Sequence, residues 1–251
     1  MCKINNISNQ LSHKQTTRLN SLFDKQYEKL LNNDLNPDIS TIAYTHKLLF
    51  DKASKGFGFN WDSINPNDPL YHTYGKVEKD LLLFSGLKNE KFIEEAQLIK
   101  QSLRDKSEKE IKIAIKESWN KYYGIWLQTE MDHAQQTSYA KRRFQELEDA
   151  ALNSNFKYWR YNSFQDERVR PEHLALNNVV KPFNDPFWKT YFPPNGYNCR
   201  CFVTTDFEIE EDALDLTEEK LEQAQKATPK EFKTNLGNTP GIFTTKPAHP
   251  Y

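Results

Sequence analysis

Apolar residues in the first third of the chain recur every three or four positions, the spacing that lines one face of an α-helix. In "RLNSLFDKQYEKLL", Leu19, Leu22, Phe23, Leu30 and Leu31 fall on such a face. Asp38 or Ser40 can cap a second helix carrying Ile42, Leu48 and Leu49, because their side-chain oxygens accept the first free backbone N–H groups. "SKGFGFNWDSINPNDPL" then interrupts the pattern with Gly, Pro and Asn and reads as a connecting loop. Helical spacing returns in "GKVEKDLLLF" and in "NEKFIEEAQLIKQSL", and lysines alternate with glutamates through 88–121 as on exposed helix faces. A long helix is predicted over about 116–150, with Trp119, Trp126, Glu130, Ala134, Phe144 and Leu147 sharing a broad face. Glu130 and His133 sit near that face, and the expectation is that both are partly exposed and paired to Lys or Arg.

The texture then changes. "FKYWRYNS" is aromatic and alternating, and "CRCFVTTDF" clusters β-branched residues; both read as strands. Between them Pro171 suits the first position of a one- or two-turn helix in "RPEHLALNN". "VKPFNDPFW" and "FPPNGYN" read as punctuated loops, with Asn195-Gly196 suited to a tight turn. Thr217 can cap "EEKLEQAQKA", and the turn-rich remainder is expected to wrap over a neighbouring surface rather than build a core. The fold class is therefore α+β: a helical N-terminal part, then a small compact domain of a few short antiparallel strands behind a long helix. Three regions follow: residues 1–115, mostly helical; 116–210, the core domain; and 211–251, an acidic helix and extended tail.

Charge narrows the function. Thirty-four Lys and Arg against 35 Asp and Glu give a net charge of −1, which argues against a dedicated nucleic-acid binder. Residues 206–219 are strongly acidic, whereas four of the eight arginines (Arg160, Arg168, Arg170, Arg200) fall within 160–200. No apolar run approaches the roughly 18 residues that span a bilayer, so no membrane is expected. The stretch "MCKINNISNQLSHKQ" lacks the apolar centre of a secretory signal. Three cysteines, Cys2, Cys199 and Cys201, are too few for a disulfide framework and suit a reducing compartment.

The residues that could carry chemistry are Asp166, His173, Cys199 and Cys201, which supply the four ligand types a tetrahedral zinc accepts. On a regular strand the two cysteine alpha carbons would stand about 6.5–7 Å apart, so a shared zinc requires a bulge or bend near Asn195-Gly196. Three readings stay open. In the simplest, the thiols are small core residues, His173 packs across the short helix and Asp166 caps the turn before it. In the second, the four side chains bind zinc. In the third, a Cys–His nucleophile is activated by the field of Arg168 and Arg200. A deaminase-type zinc site fails, because Glu172 precedes His173 in the inverted order and the cysteine spacing is wrong.

Together these residues resemble the signature of the phage Mu F-like minor head proteins, also called phage head morphogenesis proteins. The pattern is Asp-x-Arg-x-Arg-x-x-His, then Asp-Pro-Phe-Trp, then Pro-Pro-Asn-Gly-x-Asn-Cys-Arg-Cys. It is met here by Asp166, Arg168, Arg170 and His173, by Asp185 through Trp188, and by Pro193 through Cys201, including Pro194, Gly196 and Asn198. The likeness covers about 115–205, and Gln128 departs from it, since family members carry Arg before the Thr-Glu of that helix. The resemblance implies a structural virion component rather than an enzyme. Such a component would be made beside the portal protein, enter the procapsid in few copies, and act in head assembly and DNA packaging or delivery. Its expected partners are the portal or major capsid protein and packaged double-stranded DNA, the last through Lys141, Arg142 and Arg143. Its expected places are the virion head and, during assembly, the host cytoplasm. The alternative class is a metal-dependent enzyme or toxin-like effector acting on nucleic acid or protein during infection.

Overall fold

The structure, a computed structural model, describes residues 11–58, 65–68, 70–208, 213 and 216–243. Helix α1 spans His13–Leu31 and starts at Ser12, whose hydroxyl and Gln15 form a reciprocal capping box. Its buried face carries Leu19, Leu22, Phe23, Tyr27 and Leu30, whereas Leu31 turns outward at 40% exposure. Helix α2, Ile39–Phe57, opens on Asp38, whose carboxylate accepts the Thr41 N–H at 2.8 Å. Helix α3 runs unbroken through Tyr71–Ser102 and joins two stretches that the apolar pattern separates. Helix α4, Glu108–Asn120, passes through a π-helical turn, Lys121–Trp126, into helix α5, Leu127–Asn153, so the predicted long helix is longer at both ends.

The strands are β1 (Tyr158–Asn162), β2 (Val180–Pro182) and β3 (Phe202–Asp206), antiparallel in the order β2-β1-β3. Strand β2 lies inside "VKPFNDPFW", so the loop reading of that segment is corrected. Pro182 is compatible because it closes a short edge strand, where no ladder N–H is required. The same correction applies to helix α7, Trp188–Tyr191, whereas helix α6, Pro171–Leu174, and helix α8, Glu218–Ala227, fall where their caps predict. Among the described residues, no helix is long and apolar enough to cross a membrane.

The described residues form two compact units. One takes those up to Phe50 with Leu81–Asp132; the other takes those of Asp51–Asp80 and from His133 onward. The first is centred on aromatic contacts: Trp119 lies 5.1 Å from Phe92, 5.7 Å from Phe23 and 4.0 Å from Tyr123, centroid to centroid. At its centre a fully buried Lys88 pairs with Glu130 at 2.7 Å, and Asn89 donates to the Tyr123 hydroxyl at 3.1 Å. Glu130 therefore has a lysine partner, but in the interior and not at the partly exposed position expected of it.

The second unit packs Trp159 and Tyr161 of β1 against Leu147, Leu176, Trp188, Tyr191, Phe192 and Val203. Its C-terminal stretch contributes buried Phe232, Leu236, Ile242 and Phe243, so this part of the tail builds core instead of only wrapping a surface. The Asp80 carboxylate fastens it by accepting the Ile242 and Phe243 N–H groups at 2.6 and 2.9 Å. Residues 209–212, 214 and 215 of the acidic 206–219 run lie outside the described residues.

Gly56 is helical, in a segment the sequence pattern assigns to a loop. A β-carbon there would run into the backbone carbonyl of Gln135 and the Ser138 side chain on α5. Gly56→Ala is expected to destabilise the second unit by about 1–3 kcal/mol, the usual range for forced overpacking, read as a lower urea midpoint.

Candidate metal centre

His173 and the two cysteines come together because two short segments are bent over β1. Pro171 starts α6 with a preset helical φ. Asn178, at φ 64°, then reverses the chain so that its N–H donates to the Tyr161 carbonyl at 2.9 Å. From the other side, the Pro-Pro-Asn-Gly run ends in a turn in which the Cys199 N–H donates to the Gly196 carbonyl at 3.1 Å. Asn198 takes the left-handed φ, 58°, which asparagine tolerates well. The Asn195 side chain is buried and accepts the Tyr161 hydroxyl at 3.0 Å. A β-carbon at Gly196 would stand 2.9 Å from the Arg170 guanidinium and displace that flexible side chain, which donates to the Tyr197 carbonyl at 2.7 Å. Pro194 follows a cis peptide bond from Pro193. Trp188 anchors the segment by donating its indole N–H to the Pro182 carbonyl at 3.0 Å.

The result is a tight triad. The His173 Nδ1 lies 3.7 Å from Cys199 Sγ and 3.6 Å from Cys201 Sγ, and ligand atoms of the three residues lie within 4.8 Å of one another. The cysteines precede β3 and do not form part of it, so the strand geometry that would separate them does not apply. Cys199 and His173 are buried and Cys201 is half-buried. The thiols are unequal. A hydrogen bond from Cys201, with His173 beside it, holds the Cys199 thiol well below its ordinary value, and the same bond together with burial pushes Cys201 up.

Asp166 does not join the triad. It takes a bidentate ion pair from Arg200 at 2.7 and 2.6 Å and accepts the Arg168 N–H at 3.0 Å, and the Arg200 guanidinium holds its carboxyl down at about 2. Arg168 and Arg170 are exposed and, with Arg200 and the triad, line a cavity of about 130 Å³.

The lysine–arginine run on α5 divides. Lys141 is 2% exposed, and its ammonium donates to the Leu236 carbonyl at 2.9 Å and to the Thr239 carbonyl and hydroxyl. It is thus not placed to meet phosphates, a correction to the expected trio. Arg142 and Arg143 reach Glu146 at 2.7 and 3.4 Å. His133, expected to be partly exposed, is instead buried between the rings of Tyr197, Phe232 and Phe243. No local pattern announces this cage, because its rings come from segments 64 to 110 residues further along the chain.

Burial sets the pH response of these two groups. It lowers Lys141 from the ordinary 10.5 to about 7, against the pull of Asp80, and lowers His133 from 6.5 to about 4, against a hydrogen bond from its ring to the Ile242 backbone. In both cases the unfolded chain binds the proton more readily, so stability rises with pH between about 4 and 6.5 and again between about 7 and 10.5. Urea midpoints measured across these ranges should climb in two steps, and Lys141→Met should flatten the upper one relative to the native chain.

Residues 94–204 match the family model described as Phage Mu protein F like protein. The chain is 43% identical over 67 residues to "Putative capsid assembly protein F" of Escherichia phage Mu, and 34% identical over 89 residues to the Mu-like prophage FluMu F protein of Haemophilus influenzae. These stretches cover 27% and 32% of this chain but only 15% and 22% of the relatives, so the likeness spans less than a quarter of their length. No solved structure matches the chain.

Proposed function

We propose that this chain, whose residues 94–204 match the Phage Mu protein F like family model, is a minor head protein of a tailed phage, working in head assembly as a structural component. The observation that carries this reading is that the matched segment takes in the whole turn-locked stretch of the second unit, Asp166 to Cys201. The motif residues Asp166, Arg170, His173, Trp188, Gly196, Asn198, Cys199, Arg200 and Cys201 all spend their side chains or backbone on holding that part together. A relative's name, capsid assembly protein F, points to the same work. In this reading the chain associates with the portal and inner capsid, enters heads in few copies and lies near DNA during packaging or delivery.

The test is mass spectrometry of purified heads together with affinity capture from infected cells. The expected result is low-copy presence in heads and co-purification with portal or major capsid protein. Heads that form normally yet lack the chain would defeat the proposal.

A further inference from the structure

We infer that His173, Cys199 and Cys201 hold a zinc ion through Nδ1 and two Sγ atoms, its fourth position facing the arginine-lined cavity and filled by a solvent oxygen. The separations fit the ion. With Zn–S near 2.3 Å and Zn–N near 2.0–2.1 Å, a tetrahedral centre requires N···S edges of about 3.6 Å and an S···S edge of about 3.8 Å. The triad presents N···S edges of 3.7 and 3.6 Å, with all three residues' ligand atoms inside 4.8 Å.

Hydrogen bonding alone serves the same atoms poorly. A single Nδ1 either donates one proton or accepts one, yet two sulfurs point at it, at 3.7 and 3.6 Å. A cation between the three atoms satisfies all of them at once. A Cys199–Cys201 disulfide would instead close a small strained ring and leave the imidazole without its neighbours.

The donor set selects the metal, because two thiolates and an imidazole suit zinc and disfavour the hard cations magnesium and calcium. Asp166 is not a ligand in this arrangement. Both its oxygens are committed to Arg200, and that pairing offsets the cationic charge that lies between the two cysteines in sequence. Three protein ligands with one position toward solvent is the open form of a zinc site, and the cavity has room for the water it needs.

The experiment uses the full chain, purified under reducing conditions with zinc. The expected content is about one zinc per chain. Removal with a chelator and replacement by cobalt(II) should produce thiolate-to-cobalt charge-transfer bands and the strong visible bands of a tetrahedral ion. Cys199→Ser, Cys201→Ser and His173→Ala should each lower zinc content at least about tenfold, whereas Asp166→Asn should keep full stoichiometry. Should those three variants fail to fold, the cobalt spectrum of the native chain decides alone. A folded native chain with no zinc and no charge-transfer bands would overturn the site, as would a native Cys199–Cys201 disulfide. Loss of zinc in folded Asp166→Asn would overturn the three-ligand arrangement.

Discussion

Glu130→Leu should destabilise the first unit by about 3–5 kcal/mol, the cost of leaving a buried charge without its counter-charge. Lys88 has a fully buried side chain, its ammonium held at 2.7 and 2.8 Å by the two carboxylate oxygens of Glu130. The rings of Tyr122 and Tyr123, 5.7 and 5.4 Å from the ammonium, recover only part of the lost attraction. Burial already lowers the Lys88 pKa, and removing the carboxylate lowers it further. The deficit of Glu130→Leu should therefore shrink as pH rises toward lysine's ordinary 10.5. The double variant Lys88→Met with Glu130→Leu should lose far less than the two single losses combined, because an apolar pair of similar volume leaves no charge to solvate. Urea titrations of the four proteins would measure the coupling; additive losses would show that the pair acts only by filling space.

Trp159→Ala should cost the second unit about 3–5 kcal/mol, enough to unfold a marginally stable domain at 37 °C. Trp159 is 1% exposed on the central strand, with its ring 5.6 Å from Phe144, 5.6 Å from Trp188 and 5.7 Å from Phe192. No helix or strand nearby can collapse into that space without losing its own contacts. Trp159→Phe should be much milder, within about 1.5 kcal/mol. It keeps the ring contacts and removes an indole N–H that has no acceptor among the described residues, a defect worth about 1–3 kcal/mol. Calorimetry of both variants distinguishes volume from polarity. Equal losses would assign the whole effect to the deleted atoms.

What was legible in the sequence tracks the range of the interaction. The caps at Asp38 and Thr217 and the helix-opening Pro171 act within one turn, and an apolar face or a β-branched run can be read over a dozen residues. The continuity of α3 was hidden because the middle of its buried face is polar: Lys88 and Asn89 lie there, satisfied by Glu130 and Tyr123 from 42 and 34 residues away. Strand β2 was hidden because three residues ending in proline carry no periodicity, and only β1 defines them as a strand. Adjacency in sequence groups Lys141 with Arg142 and Arg143, but successive residues on a helix point about 100° apart, and of the three Lys141 alone is buried. The convergence of His173, Cys199 and Cys201 is one of the three arrangements the sequence leaves open, and it depends on the bend between Gly196 and Cys199. The attachment of Asp166 to Arg200 is in none of them, since ion pairing between distant segments leaves no local spacing.

The clasp between Asp80 and the amides of Ile242 and Phe243 carries a consequence for biosynthesis. The described residues of the first unit are all made once Asp132 has left the ribosome, whereas the second needs residues as late as Phe243. At translation rates of about 5–20 residues per second, that interval lasts roughly 5–20 s. Throughout it, Tyr74, Val77 and their neighbours on the early half of α3 have no completed core to enter. A nascent chain of this kind would depend on chaperone cover until its final segment emerges, and would be most prone to aggregate when translation stalls after α5.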